Sequence, residues 1–295
     1  MRVLVTGATG FVGSAIVEEL QAAGHQVLGL ARSAEAASLL RQRGVEVQHG
    51  SLTELSQLQA ACASADGVIH TAFIHDFSRF RENCEIDRQA ILAMGQALAG
   101  STRPLLITSG TGLVAATGSL AVESDPAGHH LPRVASEQAA AAVAELGVAV
   151  SVVRLPPSVH GRGDHGFVPI LIELARTQGQ AACLGDGSNR WPAVHRLDAA
   201  RLFRLALERG ATAACYHANA EEGVAFAGIA TAIAEGLQLP FTHLPPEQGE
   251  TYFGWFAHFA ALDNPTSSQL TRQLLGWQPQ QPGLLDDLRH GGYFA

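Results

Sequence analysis

Residues 6–13 read TGATGFVG, which places glycines at 7, 10 and 13. In such a triplet the first glycine permits a tight turn, the second lets backbone approach a pyrophosphate, and the third lets a helix pack closely on a strand. The free N–H groups and dipole at the start of the following helix favour an anion there. A glycine triplet alone is weak evidence and could be an ordinary turn, but its setting adds weight. It follows RVLVT (2–6), an apolar β-branched run, and precedes a segment with Ala15, Ile16, Leu20 and Ala23 at helical spacing. The chemistry implied is nucleotide binding by Gly7, Thr9, Gly10, Phe11, Val12 and Gly13. The end of the next strand chooses between nucleotides, because a carboxylate there suits a free ribose hydroxyl and an arginine suits a 2′-phosphate. That slot holds Ala31, Arg32 and Ser33, with no acidic residue among them. A guanidinium beside a hydroxyl favours NADP over NAD, against the plainer reading of a solvated surface arginine.

Strand and helix patterns alternate around this turn. Strands are expected at 2–6, 25–31, 45–49, 67–72, 104–108 and 148–155, and helices at 14–23, 34–42, 55–62, 85–99 and 136–146. Such alternation implies a parallel sheet covered on both faces. Beyond Pro156-Pro157 the pattern loosens into a loop, helices near 167–178, 198–209 and 228–236, and a short strand at 214–218. The 295 residues are 47% hydrophobic, enough for a large core, with no apolar run long enough to span a bilayer. The chain opens directly on a strand, so a cytoplasmic location is expected. A diffuse net charge of −8 without a basic block argues against nucleic acid and anionic membranes as partners. The four cysteines are far apart and read as buried thiols, and no histidine spacing suggests a metal. All nineteen basic residues are arginine, which excludes any mechanism that needs a lysine.

The TGxxGxxG spacing resembles the extended or atypical short-chain dehydrogenase/reductase superfamily, which includes epimerases and dehydratases. GVIHTA (67–72), LPPSVHG (155–161), GDGSNRWPAVHRLDAARLF (185–203) and LLGWQP (274–279) resemble further segments of that family, and Asp87 stands where it often has asparagine. The resemblance implies a Rossmann-type doubly wound parallel sheet with a smaller, interleaved C-terminal substrate-binding region. The nucleotide domain would be 1–160, with 191–220 returning to it, and the substrate region 161–190 and 221–295. It also implies that Leu52, Thr71, Ala72, Phe73 and Pro156 line the cofactor, and that His195 is structural.

The family's usual catalytic pair, Tyr-x-x-x-Lys with an upstream serine, is missing. Counting back from Glu137-Gln138 puts the tyrosine slot on His129 and the lysine slot on Arg133; the serine slot falls near Gly110, between Ser109 and Thr111. His129 or its neighbour His130 could donate a proton, Arg133 could hold the ribose, and Ser109 or Thr111 could meet a carbonyl; an inert exposed loop is the bland alternative. The expected activity is NADP(H)-dependent reduction of a hydrophobic or aromatic ketone. The alternatives are a non-catalytic NADP sensor, or a nucleotide-sugar epimerase or dehydratase, which leans harder on the missing tyrosine. Atypical reductases of aromatic polyketides lack the pair and still turn over, by the same resemblance. Phe167, Trp191, Phe253, Trp255, Phe256 and Phe259 offer aromatic surface for a substrate pocket, with core packing the plainer role of each. A homodimer is compatible with all of this.

Overall fold

The computed structural model describes residues 1–114, 119–128 and 131–294. The first half alternates β1 (Arg2–Thr6), α1 (Phe11–Ala22), β2 (Gln26–Ala31), α2 (Ala34–Gln42), β3 (Glu46–His49), α3 (Leu55–Ala63), β4 (Gly67–His70), α4 (Phe80–Leu98), β5 (Leu105–Gly110), α5 (Val134–Glu145) and β6 (Val150–Leu155). The second half adds β7 (Ser158–His160), α6 (Phe167–Gln178), β8 (Ala181–Leu184), β9 (Arg190–His195), α7 (Arg196–Glu208), β10 (Cys215–His217), β11 (Glu221–Ala225), α8 (Phe226–Leu237) and β12 (Phe241–Leu244). Four short helices follow: α9 (Gly249–Phe253), α10 (Ala257–Ala260), α11 (Gln269–Leu275) and α12 (Leu284–His290). Among the described residues no helix is long and apolar enough to cross a membrane.

The central sheet has seven parallel strands in the order β10-β6-β5-β4-β1-β2-β3. Its strands are apolar on both sides because helices cover both faces, as parallel crossovers require. One face buries Val3, Val5, Ile69 and Leu106 with α1 and α7; the other buries Leu4, Val68, Leu105 and Ile107 with α3, α4 and α5. The order reverses between β1 and β4, so the carboxyl ends of these strands open a crevice, the usual ligand position in such sheets.

The smaller part of the molecule holds a three-stranded sheet, β11-β9-β7, and the pair β12-β8. It has its own core around Trp191, Phe226, Phe253 and Phe256. Residues 158–160, expected as loop, form β7 alongside β9, and the helix expected from Glu85 already begins at Phe80. The early start has a local cause. Asp76 caps a 3₁₀ turn through the Ser78 N–H, and Arg79 pairs with Glu82, so the chain coils before its apolar pattern begins.

The C-terminal stretch is fastened to the rest at two places. The Trp277 indole donates to the Asp198 carbonyl (3.0 Å), while the Asp198 carboxylate accepts the N–H groups of Gln280 and Gln281 (2.9 Å each). Further on, Asp287 meets His160 (2.7 Å), and the Tyr293 hydroxyl accepts from Gly161 N (3.0 Å) and donates to Asp164 (2.9 Å).

Helices α4 and α5 touch at Gly95, where a Cβ would lie 2.2 Å from a methyl of buried Val143. Alanine in a helix normally gains about 1 kcal/mol over glycine, but forcing a methyl into a packed contact costs about 1–3 kcal/mol. The expected outcome for Gly95→Ala is therefore a net loss of roughly 1 kcal/mol in urea unfolding. Equal or higher stability would show that these helices can move apart.

Candidate cofactor and active site

The three glycines of the turn are needed for different reasons. Gly7 has φ +69°, and a Cβ on it would lie 2.8 Å from the Ala72 nitrogen and 2.9 Å from the Thr71 hydroxyl. A Cβ on Gly13 would lie 2.0 Å from the Gly7 carbonyl oxygen, so α1 can approach the strand only without one. Gly10 is different: it is exposed, and its Cβ would come no closer than 3.1 Å to the Gly7 oxygen. Its bareness serves the open side of the turn. No side chain caps α1, so its first N–H groups face that side with the helix dipole behind them, a cradle that fits a pyrophosphate. Thr9 is exposed at the rim, and Val12 packs into the sheet core. Phe11 is wedged between the His165 ring (5.7 Å) and the Arg196 guanidinium (5.1 Å).

The end of β4 forms the neighbouring floor. The Thr71 hydroxyl donates to the Thr6 carbonyl (2.8 Å) and the Ala72 N–H donates to the Thr6 hydroxyl (3.2 Å). Phe73 follows, half-buried, with the Arg133 guanidinium 4.1 Å from its ring centre. Pro156 is buried just beyond β6, and Leu52 is buried in the core on the α3 and α4 side. At the end of β2, Arg32 is exposed and has no partner among the described residues. The Ser33 hydroxyl caps α2 by accepting the Ala36 N–H (3.2 Å) and gives its own proton to the Glu35 carboxylate, so it is less free for a phosphate than the sequence suggested. The Glu35 carboxyl sits against that hydroxyl and is held below the usual carboxylate range by its own backbone N–H and by Ser33. A carboxylate thus stands close to the slot, leaving Arg32 as its one free charged donor.

Of the residues expected to do chemistry, His129 and His130 lie outside the described residues. Arg133 is tightly held: it donates to Asp87 (2.5 Å), to the Ser136 hydroxyl and to the Thr108 carbonyl (2.9 Å). Asp87 also accepts from Ser136 (2.5 Å) and meets His70 (2.9 Å), whose other nitrogen meets the Thr6 hydroxyl (2.7 Å). Burial pushes the Asp87 carboxyl up, but the charge of Arg133 and the hydrogen bond from His70 outweigh it and hold it well below the usual range. Ser109 belongs to a second buried network. Its hydroxyl donates to Glu137 (2.8 Å), which is gripped by Arg154 through two hydrogen bonds (2.9 and 2.8 Å). Thr111 is fully buried, its hydroxyl has no partner among the described residues, and its carbonyl accepts from Asn264 (2.8 Å). At Gly110 between them a Cβ would be 3.7 Å from the nearest atom, the Leu155 carbonyl oxygen, so a small side chain would fit there.

Several residues near the site escaped the sequence reading. His75 is exposed beside Phe73 (5.2 Å between ring centres) and Phe77 (6.4 Å). Surrounding protein depresses its pKa, and the charges of Arg133 and His165 add to that. The signal was present in FIHDFSRF (73–80), three phenylalanines and a histidine directly after the floor strand. The aromatic stretch of the smaller region needs correction. Trp191, Phe253 and Phe256 are core residues, Phe167 and Phe259 are half-buried against them, and Trp255 alone of that group is exposed. His160 is buried against Asp287, and His195 ends β9 and accepts the Leu197 N–H (3.3 Å), a structural role.

A switch-point crevice, a glycine cradle and a threonine-lined floor define a nucleotide-binding enzyme fold of the extended short-chain dehydrogenase/reductase type. The model of the NAD dependent epimerase/dehydratase family matches residues 3–218, and the chain belongs to that family of NAD(P)-dependent enzymes. An uncharacterized protein of Schizosaccharomyces pombe is 47% identical over 295 residues, the whole of both chains. The 2-alkyl-3-oxoalkanoate reductase of Stenotrophomonas maltophilia is 30% identical over 256 residues, covering 83% of this chain and 73% of that protein. A double mutant of the dTDP-glucose 4,6-dehydratase from Streptomyces venezuelae shares the fold with a TM-score of 0.77 at 19% identity, over 99% of this chain and 95% of its own.

The glycine geometry separates two substitutions. Gly10→Val should keep the fold, checked by circular dichroism, yet lose dinucleotide binding by isothermal titration, because its side chain would fill the cradle. Gly13→Ala should instead lower the melting temperature even without nucleotide, since its methyl would collide with the turn's own backbone. Unchanged binding in Gly10→Val would overturn the assignment of the cradle.

Proposed function

We propose that this protein is an NADP(H)-dependent reductase of a hydrophobic ketone, a small-molecule enzyme that engages neither nucleic acid nor membrane. The observation that carries the reading is the state of the catalytic slots. Arg133 is locked to Asp87 and Ser109 to Glu137. Neither can serve the repeated proton transfers of an epimerase or dehydratase, whereas the cradle and floor that position a dinucleotide are intact. A single reduction demands less of these slots. The bound dinucleotide would supply the hydride, and the protein would hold the ketone against it, a contribution that reaches about 7–11 kcal/mol in favourable cases. The reductase named among the relatives supports this class of chemistry.

The developing alkoxide needs a proton. His129 and His130 occupy the vacated tyrosine slot in sequence, and His75 stands beside the floor at Phe73. NADPH oxidation with a panel of hydrophobic ketones tests the activity. In the His129→Phe/His130→Phe variant the rate constant should fall about 10²–10⁴-fold if either is the acid. A rate like the parent's would pass the role to His75 or water. Binding of NADPH without turnover of any carbonyl would favour the sensor reading.

Nucleotide choice rests on Arg32, the guanidinium at the end of β2 that has no partner among the described residues. Its bond to a 2′-phosphate should make NADPH bind about ten- to a hundredfold more tightly than NADH. Fluorescence titration of both nucleotides with the parent and Arg32→Ala checks this. Equal affinities in the parent, or no loss of NADPH affinity in the variant, would refute it.

A further inference from the structure

Among the described residues, only two of the exposed large apolar side chains are aromatic, and they touch. Phe77 is 41% exposed and Trp255 is 59% exposed. Their ring centres are 5.4 Å apart at an interplanar angle of 31°. Phe77 comes from the connection between β4 and α4, Trp255 from the short helical turns after α9, so the contact joins the nucleotide-binding part to the smaller region.

Each ring has firm support on its inner side. Phe77 stacks on Phe80 (5.7 Å, 28°), and Trp255 lies edge-on to Phe256 (5.4 Å) and Phe259 (6.2 Å). The outer faces remain in water, which disfavours them until something apolar covers them. The position says what that is. From Phe77 the rings run through His75 to Phe73, the residue that ends the cofactor floor and lies under Arg133. An occupant of this strip has an apolar outer end and an inner end that meets an imidazole and a guanidinium.

We infer that Phe77 and Trp255 form the substrate-binding wall for a planar aromatic carbonyl compound, an aryl ketone or quinone, whose oxygen points inward past His75. This rests on the reductase reading, and it adds the shape of the substrate and the residues that select it. Flat rings stack on such a wall in offset or tilted geometry, while a small aliphatic ketone covers little of it. A nucleotide sugar would set its hydroxyls against two hydrocarbon faces and leave them unpaired.

The protein carries its own reporter. It has three tryptophans, Trp191 and Trp277 are fully buried, and Trp255 is exposed, so static quenching by a ring bound in contact reads Trp255. With phenanthrenequinone as probe and the NADP⁺-loaded protein, saturable quenching is expected in the parent and is lost in Trp255→Leu. Phe77→Leu should weaken the probe about tenfold by loss of one stacking partner. In steady state, the kcat/KM ratio of phenanthrenequinone over diacetyl should fall by a similar factor in either variant, mainly through KM. Both substitutions are on the surface, and unchanged melting temperatures would show that the fold is kept. Absence of saturable quenching in the parent, or an unchanged ratio in both variants, overturns the wall while leaving reduction of diacetyl to support the reductase. Saturable quenching without turnover of either carbonyl would keep the wall and overturn the reductase instead.

Discussion

The carboxylate of Asp87 is fully buried, and the arrangement of the crevice depends on how its charge is met. Arg133 and Ser136 approach it from the start of α5, His70 from the end of β4, and through His70 it reaches Thr6 at the end of β1. Both strands that flank the switch point are thereby tied to α4 and α5. Burying a charge is costly unless it is paired and hydrogen-bonded, and removing one partner of such a pair typically costs about 3–5 kcal/mol because the other is stranded. The floor residues Thr71 and Ala72 hang from Thr6, so this network fixes the surface on which a dinucleotide would lie. Aspartate and arginine thereby neutralise each other inside the protein.

That pairing limits what the two side chains can do, because an arginine bonded to a buried carboxylate, a hydroxyl and a backbone carbonyl keeps its charge and its place. The second network repeats the pattern, with Ser109 bound to Glu137 and Glu137 to Arg154, whose far side meets His217 (3.2 Å). These polar groups brace α5 against β5 and β6. Positioning remains the main contribution of the described residues, and the exposed imidazole of His75 lies outside both networks.

The sequence predicted the seven-stranded sheet well because its signals are local: apolar β-branched runs, helical spacing, and glycine at each tight turn. The cradle was legible for the same reason, since strand, three glycines and helix are adjacent in the chain. Short elements such as β7, β8 and β12 were missed, having three or four residues each and depending on partners far away in sequence. Nothing local in the sequence shows that Arg133 would turn to Asp87, which lies 46 residues earlier. Ser33 looked free because a helix cap and a phosphate ligand use the same residue types. The aromatic run 252–259 could not be sorted by composition. Core and surface positions alternate irregularly there, as the consecutive short turns of α9 and α10 dictate.

The fastening of the C-terminal stretch onto the loop after β7 bears on when this site can form. The bonds of His160 to Asp287 and of Gly161 to Tyr293 span 127 and 132 residues, so they close only after Asp287 and Tyr293 have been made. Through Asp164 and the neighbouring His165, that loop reaches Phe11 at the mouth of the cradle. Contacts of such separation pay their loop-closure entropy late and slow folding relative to local ones. The central strands can pair first, while the loop beside the cradle waits for α12 and Tyr293 to dock. The mouth of the cradle is therefore fixed after the sheet, and a sheet on which α12 has not docked presents an unfinished crevice.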